Sequence, residues 1–235
     1  MASAHRNVRT GTATRAGTTA PSGDAVAVHL QEDGTTAAAV VDGIGHSRRV
    51  ASVAQLLATV IARIAARRGG LAGLLTGTEL VADPGSGEEP EPDAVAVIAT
   101  AQADGDQIRI AWVGDCRAYA LEGGQLQPLT VDHNLAEQLA RCGYTGEPPR
   151  PAAKWVRTTV GTAVVATVAE AWTKSPLVVL TSDGIHDQMP HGAMEALALT
   201  YEGEPQALAD ALVAAAETGA DGVRDDATAI VIRRT

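Results

Sequence analysis

Residues 37–46, AAAVVDGIGH, constrain the fold more than any other stretch of this chain. Small apolar and β-branched residues run without a break into Asp42-Gly43, and helical periodicity begins just beyond. Val50, Val53, Leu56, Leu57, Val60, Ile61 and Ile64 repeat at helical spacing over residues 47–68, with Ser47 placed to cap the helix and Gly69-Gly70 to stop it. A buried strand thus delivers one carboxylate to the rim of a sheet. Gly43 has no side chain to cover its carbonyl, and a carboxylate beside an open carbonyl suits a hard divalent cation. Asp-Gly is equally an ordinary turn dipeptide, so the rest of the chain has to separate the two readings.

The same device recurs. VVLTSDG runs an apolar strand to Asp183, DDATAIVI starts one after Asp225, AWVGDCRAY sets Asp115 between two strands, and Asp24 opens DAVAVHL. Carboxylates gathered at one edge of a domain repel each other unless cations are bound. Oxygen donors fit Mg2+ or Mn2+ with retained waters; the six His are scattered and no HExxH occurs, so the pattern is not that of zinc. Two such ions can clamp a phosphoryl group for in-line attack.

Further strands are predicted at residues 24–30, 35–41, 93–102, 107–114, 117–121, 154–159, 167–172, 176–180 and 227–232, with an edge strand from about Asn7. Asp104-Gly105 and Gly123-Gly124 read as hairpin turns. Helices are predicted at residues 71–80, 134–142, 191–200 and 205–218, and PGSGEEPEP at 84–92 as an acidic loop. Strand meanders with helices grouped between them predict an α+β fold on antiparallel sheets. One domain is expected over residues 1–235, with residues 1–7 loose.

A formal net charge of −10 disfavours nucleic acid and anionic lipid as partners, and three Trp, three Tyr and no Phe disfavour base stacking. Trp112, Trp155 and Trp172 are assigned to the core. Arg48, Arg49, Arg63, Arg67 and Arg68 read as a solvated helix face. Cys116 and Cys142 form no CxxC pair and are expected as reduced, buried or half-buried thiols. No apolar signal core opens the chain and no run is read as spanning a bilayer, so a cytoplasmic protein without a membrane partner is expected, with a monomer as the default.

Taken in order, VVDGIGH, GDCRAY (residues 114–119), LTVDHN (129–134), TSDGIHDQM (181–189) and DDAT (225–228) resemble the signatures of the PPM family, the type-2C metal-dependent serine/threonine protein phosphatases, in a compact bacterial form. The resemblance covers roughly residues 8–235 and implies a four-layer α-β-β-α sandwich of two antiparallel sheets flanked by helices. It implies that Asp42 bridges two Mn2+ or Mg2+ ions, that Gly43 gives its carbonyl, and that Asp183 and Asp225 supply further core carboxylates. Asp115 would hold a third, weaker ion, and Asp24 would orient the attacking water. The implied reaction is hydrolysis of phosphoserine or phosphothreonine esters on a protein by a metal-activated water, without a phosphoenzyme.

The chain also departs from that pattern. Gly23 stands where the family has Glu, and Asp226 where it has Asn. Arg15 is the nearest candidate for the arginine that holds the substrate phosphate. His46 is a candidate general acid, with a solvated helix-start histidine as the alternative. Asp132, His133, His186 and Asp187 read as turn, cap and packing residues, and Cys116 as a small buried residue. Two other functions stay open: a pseudophosphatase kept as a binding or regulatory module, and a phosphoesterase acting on small molecules.

Overall fold

The computed structural model of this chain describes residues 7–82, 91–218 and 222–235. In chain order the strands are β1 (Val8–Arg15), β2 (Asp24–Leu30), β3 (Thr36–Gly43), β4 (Ala94–Ala101), β5 (Ile108–Val113), β6 (Arg117–Glu122), β7 (Gln125–Pro128), β8 (Ala169–Thr173), β9 (Leu177–Thr181) and β10 (Ala227–Arg234). The helices are α1 (Arg48–Arg68), α2 (Gly70–Val81), α3 (Leu135–Arg141), α4 (Asp183–His186), α5 (His191–Thr200) and α6 (Pro205–Ala215). Among the described residues the strands form two five-stranded antiparallel sheets, β1-β10-β9-β6-β7 and β2-β3-β4-β5-β8.

Three apolar cores stack into four layers. Val40, Val95 and Val97 meet Val178, Leu180 and Ile230 between the sheets. Leu57, Ile61 and Leu74 of α1 and α2 cover Ala39, Val41 and Ile98 on the outer face of the second sheet. Met194 and Leu208 of α5 and α6 cover Val179 and Val231 on the outer face of the first. This is the α-β-β-α sandwich expected from the sequence. β4, AVAVIATA, is buried at all eight positions because one face meets a helix layer and the other meets the opposite sheet.

The Ser47 hydroxyl accepts the Val50 N–H at 3.1 Å, so α1 starts where the sequence places its cap, a contact typically worth about 1 kcal/mol. Val50, Ala54, Leu57, Ala58, Ile61, Ala62 and Ala65 form its buried stripe, while Leu56 points outward at 51% exposure. An 18-residue window of α1 has mean hydropathy 1.4, enough by length and composition to cross a membrane, contrary to the reading that no run could do so. The buried stripe accounts for that apolarity.

Several local expectations need correction. Residues 154–159 are not a strand: Lys154 closes a 3₁₀ turn, Arg150–Lys154, that follows Pro149 and contains Pro151, and beyond it Val156 alone forms a bridge, to Asn134. Of the tryptophans only Trp112 is core. Trp155 is 55% exposed with the Arg157 guanidinium over its ring, and Trp172 is 60% exposed on the edge strand β8. Cys116 is buried, but Cys142 is exposed at the end of α3. β7 and the single turn α4 are additions. The acidic-loop reading of residues 84–92 falls mostly outside the described residues, as do residues 1–6 of the expected loose terminus.

Candidate metal centre

The predicted carboxylates arrive from both sheets. In the second sheet Asp24 opens β2 and pairs across the ladder with Asp42 near the end of β3. In the first sheet β9 and β10 are neighbours, so Asp183, which starts α4, lies beside Asp225, which precedes β10. The Ser182 N–H donates to the Thr228 carbonyl, and the Thr228 N–H donates to the Ser182 hydroxyl, each at 3.0 Å. That hydroxyl then donates across the sandwich to Asp24 Oδ2 at 2.7 Å, tying the two sheets together at the site. Asp115, buried, sits in the β5–β6 connection, where Gly114 adopts φ +89°.

The five carboxylates share one field. Burial raises the Asp42 carboxyl well above the ordinary carboxylate range, and the charges of Asp24, Asp183, Asp115 and Asp225 raise it further. Burial lifts Asp24 to about 8 against the Ser182 hydrogen bond, with Asp226 and Asp183 adding repulsion. Burial, then Asp183, lifts Asp115 to about 7, and the same two causes raise Asp225. The arrangement concentrates negative charge that the folded chain alone stabilises poorly.

A divalent cation fits this donor set, which is hard oxygen throughout. Among the described residues no three His, Cys, Asp or Glu side chains approach closely enough to enclose an ion together. Carboxylate and carbonyl oxygens of this kind suit an ion that keeps several waters, as Mg2+ does. Gly43 is set by packing. A β-carbon there would lie 2.5 Å from Val50 Cγ1, so only glycine allows α1 to start so close to β3.

Gly23 lies against the same carbonyl. Its N–H donates to Asp226 Oδ2 at 2.6 Å, its carbonyl accepts the Gly43 N–H at 3.1 Å, and a β-carbon there would stand 3.0 Å from the Gly43 oxygen. A side chain at position 23 would thus crowd the carbonyl that the sequence nominates as a ligand. The second Asp226 oxygen accepts the Gly17 N–H, also at 2.6 Å. Asp226 thus fastens the loop between β1 and β2.

Arg15 is not brought to the carboxylates. It shares a strand face with Ala13, which packs in the helix-side core, and its guanidinium donates to the Ala214 and Ala216 carbonyls at the end of α6. Burial and the neighbouring Arg224 lower its pKa. His46 is exposed on the β3–α1 loop. Asp132 forms a two-pronged pair with Arg117 at 2.8 and 2.7 Å, and Asn134 caps α3. The His186 ring pairs with the Thr181 hydroxyl at 3.0 Å, and burial lowers its pKa to about 3.

Sequence reasoning missed two participants. Ser182 carries the bond between the sheets, and the only hint is a hydroxyl directly before Asp183 at a strand end. Lys154 places Nζ 3.0 Å from Asp183 Oδ2 and also pairs with Asp187. Burial works against its charge, but the two carboxylates hold its pKa above the usual lysine value. One of two lysines in the chain, it opens the stretch 154–159 that the sequence reading made a strand, where nothing marked it for the site.

Comparisons with known proteins bear on these features. The sequence model of one family, Stage II sporulation protein E (SpoIIE), matches residues 32–235. No curated protein matches the chain. Among solved structures, a serine/threonine phosphatase of S. agalactiae superposes with TM-score 0.82 and 18% identity, covering 96% of this chain and 99% of that one. PppA, a key regulatory component of the T6SS in Pseudomonas aeruginosa, gives 0.76 and 24%, covering 97% and 98%. The catalytic domain of the serine/threonine protein phosphatase PstP, solved with 2 manganese ions, gives 0.69 and 19%, covering 98% and 99%. At these identities the likeness is one of fold.

Proposed function

The chain belongs to the Stage II sporulation protein E (SpoIIE) family, and on that premise we propose that it is a metal-dependent phosphatase hydrolysing phosphoserine or phosphothreonine esters on proteins. One observation carries the reading: the ladder pairing of Asp24 with Asp42 and the Ser182 bond to Asp24 gather the carboxylates at the sheet ends, where Asp24, Asp183, Asp115 and Asp225 all act on the buried Asp42 carboxyl. Two ions would be held by Asp42, the Gly43 carbonyl, Asp183 and Asp225, with Asp115 serving a third. When bound, Mn2+ or Mg2+ supplies Lewis acidity and neutralises phosphate charge.

The chain's own groups handle position and protons. Asp24, held by the Ser182 hydroxyl, orients the attacking water and accepts its hydrogen bond. Lys154, once drawn away from Asp183, is the cation placed to meet the phosphate oxygens, a role the sequence assigned to Arg15. The leaving serine oxygen takes a proton, and His46 on its exposed loop is the proposed donor. The products are the free hydroxyl side chain and inorganic phosphate.

A second reading, a pseudophosphatase retained for binding, draws on Lys154 occupying Asp183, on Gly23 and on the diverted Arg15. Assays of p-nitrophenyl phosphate and a phosphothreonine peptide with Mn2+, Mg2+ or EDTA, alongside Asp183→Asn, separate the readings. Turnover of the peptide that needs metal and Asp183 is expected. Metal binding without turnover of either substrate would replace the enzyme by the binding module, and turnover of the small ester alone would indicate a small-molecule phosphoesterase.

A further inference from the structure

α1 ends far from the carboxylates. At about 1.5 Å per residue its 21 residues span about 30 Å, from the Asp42 turn to Gly69. There the α1–α2 turn and the ends of β4, β5 and β8 surround a cavity of about 460 Å³, within the usual range for small-molecule sites. Arg67, Arg68, Gly70, Thr100, Arg109 and Glu170 are among the residues lining it.

Thr100 is the informative residue. It is 5% exposed, and its hydroxyl oxygen has no hydrogen-bond partner among the described residues. Its neighbour across the ladder, Ala37, belongs to the core under α1 and α2, so the Thr100 side chain points to the helix layer where the cavity lies. A buried hydroxyl without a partner costs about 1–3 kcal/mol, which a ligand oxygen would recover.

The walls carry positive charge. Arg67, Arg68 and Arg109 join no ion pair among the described residues. The first turn of α2 lines the cavity at Gly70 and Leu71 and has no side-chain cap, which leaves its N–H groups free of side-chain acceptors. Arg67 and Arg68 also complement the carboxyl end of α1, but Arg109, on a strand, has no such duty. Glu170 is the one acidic lining residue. Beside Arg109 across the β5–β8 ladder, on the same face, stands the exposed ring of Trp172.

We propose that this cavity binds a small phosphorylated ligand of nucleoside-monophosphate size. The phosphate lies against Arg109, the Thr100 hydroxyl and the start of α2, and a flat ring covers Trp172. The site is separate from the carboxylates and does not depend on catalysis there.

The test is titration of AMP into the whole, EDTA-treated protein, followed by calorimetry and tryptophan fluorescence. Removing metal leaves no ion to hold phosphate at the carboxylate centre, and the Arg109 and Thr100 variants assign the binding to the distal cavity. Saturable binding is expected, with inorganic phosphate competing and the fluorescence change absent in Trp172→Phe. Arg109→Gln should weaken AMP about tenfold or more, and Thr100→Val about two- to tenfold. Thr100→Val should also melt no lower than the parent protein without ligand, since it removes an unpaired hydroxyl. No saturable binding, or binding indifferent to both Arg109→Gln and Thr100→Val in folded protein, would overturn the proposal.

Discussion

Lys154 offers a direct probe of the carboxylate centre. Its ammonium lies 3.0 Å from Asp183 Oδ2, so a cation binding there must displace it or endure its repulsion. Both routes have the same sign: the lysine weakens metal binding. Two unit charges at that distance attract by about 1.4 kcal/mol in a water-like dielectric. The lysine side chain is 58% exposed, so that value applies, and side-chain entropy lowers it towards the 0.2–1 kcal/mol typical of exposed pairs, roughly. Lys154→Met is therefore expected to tighten Mn2+ about two- to tenfold, and Lys154→Arg to change it little. Calorimetric titration of Mn2+ into EDTA-stripped protein at low salt measures this, and the gain should shrink as salt rises. Unchanged or weaker Mn2+ binding in Lys154→Met would refute the competition. The same variant should raise KM for a phosphopeptide if the freed ammonium meets the phosphate.

Other expectations follow from the same geometry. In the metal-free protein Asp24 and Asp115 hold protons up to about pH 8 and about 7, from a starting value of 3.8, so the folded chain binds more protons than the unfolded one across that window. Their stabilising effect is full below about pH 4 and is lost as pH rises through those folded values, so melting points in EDTA should fall from about pH 5 to about pH 8.5. Asp24→Asn should flatten the trend and excess Mn2+ should abolish it; a flat profile in the parent protein would contradict the electrostatics. Asp226→Asn replaces one of two charge-assisted acceptors by an amide N–H that faces a backbone N–H, at a cost of about 2–3 kcal/mol. Thermal unfolding should register this as a drop of about 5–10 °C, and an unshifted melt would show that the β1–β2 loop is held otherwise. Leu57→Ala, fully buried under the second sheet, should cost about 2–5 kcal/mol in urea denaturation without altering Mn2+ affinity. A loss below about 1 kcal/mol would mean that α1 repacks freely.

What the sequence revealed and what it hid divide along physical lines. The strand into Asp42 and the stripe of α1 were legible because each lies within one window and its periodicity reports which face is buried. The strand ends at Asp183 and Asp225 were legible for the same reason. β7 was not: it has four residues and buries one, Leu126, too little for alternation to register. The strand expected after Lys154 took Trp155 and Val156 at face value, although Pro149 and Pro151 just upstream had already fixed a turn. Arg15 looked suited to phosphate by its place in the chain, but strand parity sends it to the helix layer. Ser182, Lys154 and Asp226 act through contacts between residues 158, 29 and over 200 positions apart, which no local pattern encodes.

The place of β10 in its sheet has a consequence for biosynthesis. β1 finds its ladder partner in β10, made much later in the chain, and β10 sits between β1 and β9. Asp225 and Asp226 are translated immediately before that strand. At ordinary translation rates β1 waits roughly 10–40 s for its neighbour. Until then the first sheet lacks an inner strand, the β1–β2 loop lacks its anchor, and the carboxylate group is incomplete. A growing chain on the ribosome therefore cannot complete this centre before β10 has been made.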